Sequence, residues 1–131
     1  MFSILIIDPN IPFRKSLSKI IHDRFPYIKV LEASSGNQGL IGLKRSIPTL
    51  LFIDIYLPDI SGFDLAKKIK TSYPQITIAT FASFDSPEYQ AAAAACGVEY
   101  LIPKDDWSGE KILEFAESVL TNFENAANTP A

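Results

Sequence analysis

A chain of 131 residues is long enough for one domain with its own hydrophobic core and too short for two. Its apolar fraction of 47% is typical of a globular protein, and a net charge of −3 without a basic block argues against binding nucleic acid through the phosphates. The single cysteine, Cys96, excludes an internal disulfide. Since no signal-peptide pattern or membrane-spanning apolar run is found, we expect a cytoplasmic domain without membrane contact.

Short apolar runs of strand length alternate five times with longer amphipathic runs. The predicted strands are 2–8, 27–34, 49–55, 75–82 and 99–104. The predicted helices are one that begins after Asn10 and has Pro12 in its first turn, then 38–45, 62–72, 87–96 and 108–123. Gly97 follows the fourth helix, where glycine commonly ends a helix. This alternation predicts a parallel sheet with right-handed crossovers and helices on both faces.

The last eight residues, 124–131, are small and polar. We expect them to form a flexible tail or the start of a linker, so that the folded domain covers 1–123.

Two aspartates end the two most apolar strands, Asp8 after the first and Asp54 after the third. In a flavodoxin-like, doubly wound sheet of strand order 2-1-3-4-5, a three-layer α/β sandwich, these strands are neighbours and ligands bind beyond their carboxyl ends. We therefore expect the two carboxylates to face one crevice. Asp8 could also serve only the dipole of the following helix, whereas a carboxylate within the apolar surroundings of Asp54 is costly unless it is compensated.

Three stretches and the order of elements carry a family resemblance: ILIIDPN (4–10), TLLFIDIYLPDISGFDL (49–65) and GVEYLIPKDD (97–106). Over residues 2–121 the chain resembles the receiver domain of two-component response regulators. The resemblance implies a cytoplasmic signalling domain rather than an enzyme, one that takes a phosphoryl group from a histidine kinase or a phosphotransfer protein onto Asp54. It also implies that Lys104 neutralises the charge on the phosphoryl oxygens and that magnesium aligns the site.

The first departure from the family pattern is at the metal site. Receivers normally have an acidic pair at the end of the first strand, but here Asp8 is followed by Pro9, which has no side-chain oxygen. The magnesium ligands that remain are Asp8, Asp54 and the backbone carbonyl of Tyr56. We therefore expect magnesium to bind weakly.

The second departure is at the switch positions. The Thr or Ser of the family's fourth strand corresponds to Ala82, which has no hydroxyl, and neighbouring Ser83 is expected to point to the opposite face. The switch aromatic of the fifth strand corresponds to Leu101, with Tyr100 one place early. A register shift that restored Tyr100 would displace Lys104.

Large aromatic residues occupy the positions two after Asp54 and two after Ala82, namely Tyr56 and Phe84. They could cover the site and hinder water or a small phosphodonor. Alternatively, they simply pack on each other above the loops.

These observations leave two main hypotheses. The first is a receiver phosphorylated on Asp54, with 86–122 as the face toward a second copy or an output domain. The second is a phosphorylation-independent pseudo-receiver that binds a partner constitutively, which Pro9 and Ala82 favour. An enzyme of the flavodoxin or hydrolase kind is disfavoured because 34–37 lacks the spacing of a phosphate-binding loop and the chain has a single histidine, His22.

Overall fold

The computed structural model describes residues 2–83 and 85–128, and within them five strands alternate with five helices. The strands are β1 (Ser3–Ile7), β2 (Lys29–Ala33), β3 (Leu50–Asp54), β4 (Thr77–Ala82) and β5 (Tyr100–Pro103). The helices are α1 (Ile11–Arg24), α2 (Gly36–Arg45), α3 (Gly62–Ser72), α4 (Pro87–Ala95) and α5 (Gly109–Asn128). All four strand pairings are parallel, and the order across the sheet is β2-β1-β3-β4-β5. The predicted fold class is confirmed.

Alternate residues of each strand contribute to two separate cores, one on each face of the sheet, as strand geometry requires. On the face covered by α1 and α5 lie, among others, Ile4, Ile6, Phe52, Phe81, Ile102 and Phe115. On the face covered by the other three helices lie Leu5, Ile7, Ile53, Ile78, Leu65 and Ala93. Both faces are covered, which explains why β1 and β3 are apolar along almost their whole length.

The helix starts follow local capping chemistry. Asn10 caps α1, as predicted, with its side chain accepting a hydrogen bond from the Phe13 N–H. Ser35 caps α2 in the same way, so that helix begins at Gly36. The predicted start was two residues later, because Ser35 was not recognised as a cap in the sequence. Gly97 has φ +78° and follows the end of α4, as predicted.

The C-terminal helix is longer than predicted. The sequence indicated an end at residue 123, but α5 runs to Asn128. The added segment, Glu-Asn-Ala-Ala-Asn, contains good helix formers. Its small and polar residues had indicated a tail, so the continuation of the helix was not predicted. The domain boundary at 123 stays a prediction. Across the described residues, no helix combines the length and apolarity that crossing a membrane requires.

Candidate functional site

The strand alternation brings three predicted site residues to one side of the sheet. Asp8 lies two residues after Ile6, Asp54 two after Phe52 and Lys104 two after Ile102, so all three side chains project toward α1 and α5 at the carboxyl edge of the sheet. Asp8 is 0% exposed and Asp54 is 6% exposed. The sheet therefore places two buried carboxylates and a lysine in one crevice.

Lys104 bridges the two carboxylates. Its Nζ donates a hydrogen bond to Asp54 Oδ2 at 2.6 Å and lies 2.7 Å from Asp8 Oδ2. The ring of Phe13, from the first turn of α1, lies 4.2 Å from the same ammonium group, within the range of a cation–π contact. The two carboxylates and the Phe13 ring hold the ammonium group in place. Its positive charge offsets much of the desolvation cost of burying the carboxylates.

Backbone amides orient the second oxygen of each carboxylate. The Asn10 N–H donates to Asp8 Oδ1 at 2.8 Å, and the Tyr56 N–H donates to Asp54 Oδ1 at 2.6 Å. Burial raises the pKa of the Asp8 carboxyl above its usual value, and the negative charge of Asp54 adds to the rise. The Lys104 ammonium and the Asn10 N–H offset part of it, because both favour the ionised form.

A buried arginine supports the turn that carries Asp8, and the sequence analysis missed it. Arg14 Nη1 donates to the backbone carbonyl of Asp8 at 2.6 Å, and Arg14 Nε donates to Glu32 at 3.0 Å. A signal existed in the sequence, because Arg14 lies three and seven residues before Leu17 and Ile21, which form the inward face of α1. The arginine ties β1, α1 and β2 together next to the site.

The start of α3 lies directly against the end of β3. A Cβ atom at Gly62 would lie 2.3 Å from the carbonyl oxygen of Asp54 and 2.5 Å from the Cα of Ile55, so glycine is required there. The Gly62 N–H donates to the Ile55 carbonyl at 3.0 Å. This close approach fixes the backbone around Asp54.

The crevice offers hard oxygen ligands for magnesium, but few of them. Asp8 Oδ2 is buried and has no hydrogen-bond partner of acceptable geometry among the described residues. Asp54 shares the Lys104 ammonium group with Asp8, and the Tyr56 N–H bonds Asp54, whereas Pro9 adds no side-chain oxygen. The described part of the chain contains no group of three or more Asp, Glu, His or Cys side chains that could hold a metal ion. These oxygens are of the ligand type that magnesium prefers, so Asp8, Asp54 and the Tyr56 carbonyl would hold such an ion together with water.

The predicted switch positions lie apart from this crevice. Ala82 shares the face of Thr80 and Leu101, opposite to Asp54, and is connected to the site through its carbonyl, which accepts a hydrogen bond from the Lys104 N–H at 2.7 Å. Tyr100 points to the other face and packs its ring on Phe115 at 4.7 Å. In the observed register Leu101 lies on the face of Ala82, Tyr100 does not, and Lys104 reaches the two carboxylates.

Of the two predicted flanking aromatics, Phe84 lies outside the described residues, and Ser83 next to it is exposed. The hydroxyl of Tyr56 forms a hydrogen bond with the hydroxyl of Tyr89 in the first turn of α4. The ring of Tyr89 lies 6.3 Å from that of Phe63 in α3. Tyr89 was not singled out in the sequence, since an isolated tyrosine beside an alanine run carries no spacing signal.

Curated relatives resemble the chain over half of its length or more. A protein-glutamate methylesterase/protein-glutamine glutaminase of Trichodesmium erythraeum is 27% identical over 124 residues, which cover 91% of this chain and 35% of that protein. The sensory transduction protein LytT of Enterococcus faecalis is 38% identical over 66 residues, which cover 50% of this chain and 27% of that protein. The chain thus spans about a third of the length of the curated relatives that it matches.

Solved structures show the same fold. A CheY-like response regulator receiver domain protein from Methanospirillum hungatei superposes with a TM-score of 0.85 at 24% identity, over 96% of this chain and 98% of that one. A two-component response regulator from Clostridium difficile gives a TM-score of 0.86 at 20% identity, over 94% and 98% of the two chains. The family model described as the response regulator receiver domain matches residues 4–116, which include the crevice of Asp8, Asp54 and Lys104. The chain belongs to the receiver-domain family of two-component response regulators.

Proposed function

We propose that this receiver domain accepts a phosphoryl group on Asp54 from a histidine kinase or a phosphotransfer protein. The observation that carries the proposal is the position of Lys104, whose Nζ lies 2.6 Å from Asp54 and 2.7 Å from Asp8. Receiver domains interact with such donors, and the family match covers the whole crevice.

The chemistry follows from the groups around Asp54. A carboxylate oxygen of Asp54 attacks the phosphorus of a phosphohistidine, the P–N bond breaks, and its electron pair stays on the departing imidazole. The product is an aspartyl phosphate, which carries roughly −1.5 to −2 of charge. The Lys104 ammonium lies where that charge builds up, and the Tyr56 N–H holds the other carboxylate oxygen during the attack.

Receiver domains generally bind Mg²⁺ at the phosphorylation site, and here Asp8, Asp54 and the Tyr56 carbonyl would hold it. When bound, the ion neutralises charge on the phosphoryl oxygens and aligns them for in-line attack. We propose that Mg²⁺ binds about tenfold more weakly than at a site with one more carboxylate, because Pro9 contributes no oxygen ligand.

Intact-mass measurement tests the phosphoacceptor role. Incubation with Mg²⁺ and acetyl phosphate, or with a cognate kinase, is expected to add about 80 Da to the protein and nothing to the Asp54→Ala variant. The matched control is Asp64→Ala, an exposed aspartate of α3, which should be modified like the wild type. Absence of the adduct with every donor would refute the proposal.

A second candidate function is a pseudo-receiver that binds its partner without phosphorylation. Pro9 favours it by removing a metal ligand, and the buried Ala82 favours it by removing the switch hydroxyl. Titrating Mg²⁺ against the fluorescence of Trp107 separates the two functions. A phosphoacceptor gives a saturable response, whereas a pseudo-receiver gives none.

The output surface is proposed to be the face formed by 86–122. Helix α4 exposes small alanines there, which would let a second copy or an output domain approach closely. Since the curated relatives are about three times as long as the matched segment, an attached output domain is part of this proposal. The cytoplasmic location stays a prediction.

A further inference from the structure

Helix α4 is held to the sheet by few side chains. Every residue of the helix is described, and Ala93 alone is buried. Ala93 is the middle one of five consecutive alanines, so the helix has little apolar surface with which to anchor itself. Its first turn is held instead by Tyr89, whose ring lies 6.3 Å from the ring of Phe63 and whose hydroxyl bonds that of Tyr56.

Tyr56 connects this contact to the phosphoacceptor. Its backbone N–H donates to Asp54 Oδ1 at 2.6 Å, while its side chain extends toward α4 and bonds Tyr89. The hydrogen bond with Tyr89 raises the pKa of Tyr56 above its usual value. A continuous path of bonded groups thus runs from the Asp54 carboxylate to the first turn of α4.

The alternative path through the end of β4 lacks a polar side chain. Ala82 occupies the last position of β4, and its side chain projects to the face opposite Asp54. The hydroxyl of Thr80, on the same face, is buried without a hydrogen-bond partner among the described residues. Neither side chain can bond a group attached to Asp54 in this geometry.

We propose that Tyr89 is a positioning residue that, through Tyr56, links the chemical state of Asp54 to the position of α4. The inference rests on the proposed function, because phosphorylation is the change of state that would be transmitted. A phosphoryl group on Asp54 alters the acceptor that the Tyr56 N–H now bonds. The tyrosine contact then weakens, and the sparsely anchored helix α4 moves or loosens.

Hydrogen exchange of the α4 amides, measured by mass spectrometry, tests the link in four proteins: wild type, Asp54→Ala, Tyr89→Phe and the double variant. In Asp54→Ala the acceptor of the Tyr56 N–H is absent, while Lys104 keeps Asp8 as its partner. We expect Asp54→Ala to raise the exchange rate of the amides in 87–96 about threefold in the protein that keeps Tyr89. In the Tyr89→Phe background, the same substitution should raise that rate by less than half that factor.

A purely structural role predicts a different result. If Tyr89 only stabilised α4, Tyr89→Phe would speed exchange, but the additional effect of Asp54→Ala would remain unchanged, and that outcome overturns the proposal. Tyr56→Phe breaks the same contact from its other end and should reproduce the Tyr89→Phe result. Tyr27→Phe, which removes the hydroxyl of an exposed tyrosine in the turn before β2, is the matched control.

Phosphorylation provides a separate arm. With acetyl phosphate, the wild type should show faster exchange in α4 once the adduct of about 80 Da has formed, and Tyr89→Phe should form the adduct without a further change in α4. If no adduct forms in any protein, the proposed phosphoacceptor function fails, while the Asp54→Ala cycle still decides the tyrosine link. If the adduct forms and α4 responds equally in Tyr89→Phe, the link alone fails.

Discussion

The carboxyl edge of the sheet has two halves, one on each face of the sheet, and they are held in different ways. On the face of α1 and α5, Lys104 forms ion pairs with two buried carboxylates, backbone amides hold their other oxygens, and Arg14 fixes the turn beside them. On the opposite face, β4 ends in Ala82 and α4 buries Ala93 alone. The first half is a dense polar network, and the second is a thin apolar contact.

This contrast separates two properties of a receiver. Under the proposed function the dense half accepts the phosphoryl group, because a buried nucleophile and a counter-charge are held in fixed geometry. The sparse half contains what would move afterward, since an element with little buried surface opens at low free energy. Under the same proposal, the absence of a carboxylate at Pro9 and of a hydroxyl at Ala82 would weaken the two properties separately.

Removing the counter-charge tests the dense half most strongly. Lys104→Met leaves two buried carboxylates facing each other, and we expect the free energy of unfolding at pH 7 to fall by about 3 kcal/mol. The loss should shrink on acidification, because removal of the ammonium group takes away an interaction that lowers the pKa of the Asp8 carboxyl, and the folded variant then takes up a proton more readily than its unfolded chain. Urea unfolding at pH 7 and pH 5 measures both effects.

The matched control for this substitution is Lys111→Met. Lys111 is exposed and contacts the ring of Trp107 at 4.6 Å, so its loss should cost no more than about 0.5 kcal/mol at either pH. Equal destabilisation by the two variants would show that Lys104 does not compensate the buried pair.

Restoring the missing metal ligand is the next largest expected effect. Pro9→Asp adds a carboxylate beside Asp8, so Mg²⁺ should bind about tenfold more tightly, or by about 1.4 kcal/mol. Without Mg²⁺ the variant should be less stable than the wild type, because three carboxylates then share one ammonium group. Calorimetric titration gives the affinity, and Pro26→Asp, at an exposed proline before β2, should leave it unchanged.

Adding a hydroxyl to the sparse half should have a smaller effect. Ala82→Ser places a polar group at a position that is 1% exposed, and we expect a cost of about 1 kcal/mol in the unphosphorylated protein. Phosphorylation should recover part of this cost if the hydroxyl reaches the phosphoryl group around the end of β4. Ala79→Ser, within the same strand, should show a cost that phosphorylation does not change.

The fold was predictable because its signals are local and repeated. Asn10 and Gly97 mark helix ends by chemistry that needs no tertiary contact, and the apolar runs of β1 and β3 indicate strands covered on both faces. The placement of Asp8 and Asp54 in one crevice followed from strand order, and that of Lys104 followed from the family resemblance. Their roles in phosphoryl transfer stay predictions.

The remaining features depend on contacts between distant segments. Arg14 reaches the Asp8 carbonyl and Tyr89 reaches Tyr56. Spacing places Arg14 on the inward face of α1 but does not show which group it bonds, and no spacing marks Tyr89. Asp59 is similar, because it lies in the loop after β3 and bonds backbone amides at the start of α2. Such contacts are set by how loops pack, which the periodicity of single elements does not report.

The smallest expected effect concerns this last contact, which joins the loop beyond Asp54 to α2. The Asn37 and Gly36 N–H groups donate to Asp59 at 2.8 and 2.9 Å and lower the pKa of its carboxyl below the usual 3.8. A lowered pKa in the folded state stabilises the fold above the unfolded pKa, and the contribution disappears as pH falls through the folded value. Asp59→Asn should therefore lower the urea midpoint at pH 7 and change it less at pH 3. Asp106→Asn, at an exposed aspartate before α5, is the control. If Asp59→Asn lowered the urea midpoint equally at pH 7 and pH 3, the charge of Asp59 would not be what stabilises the start of α2.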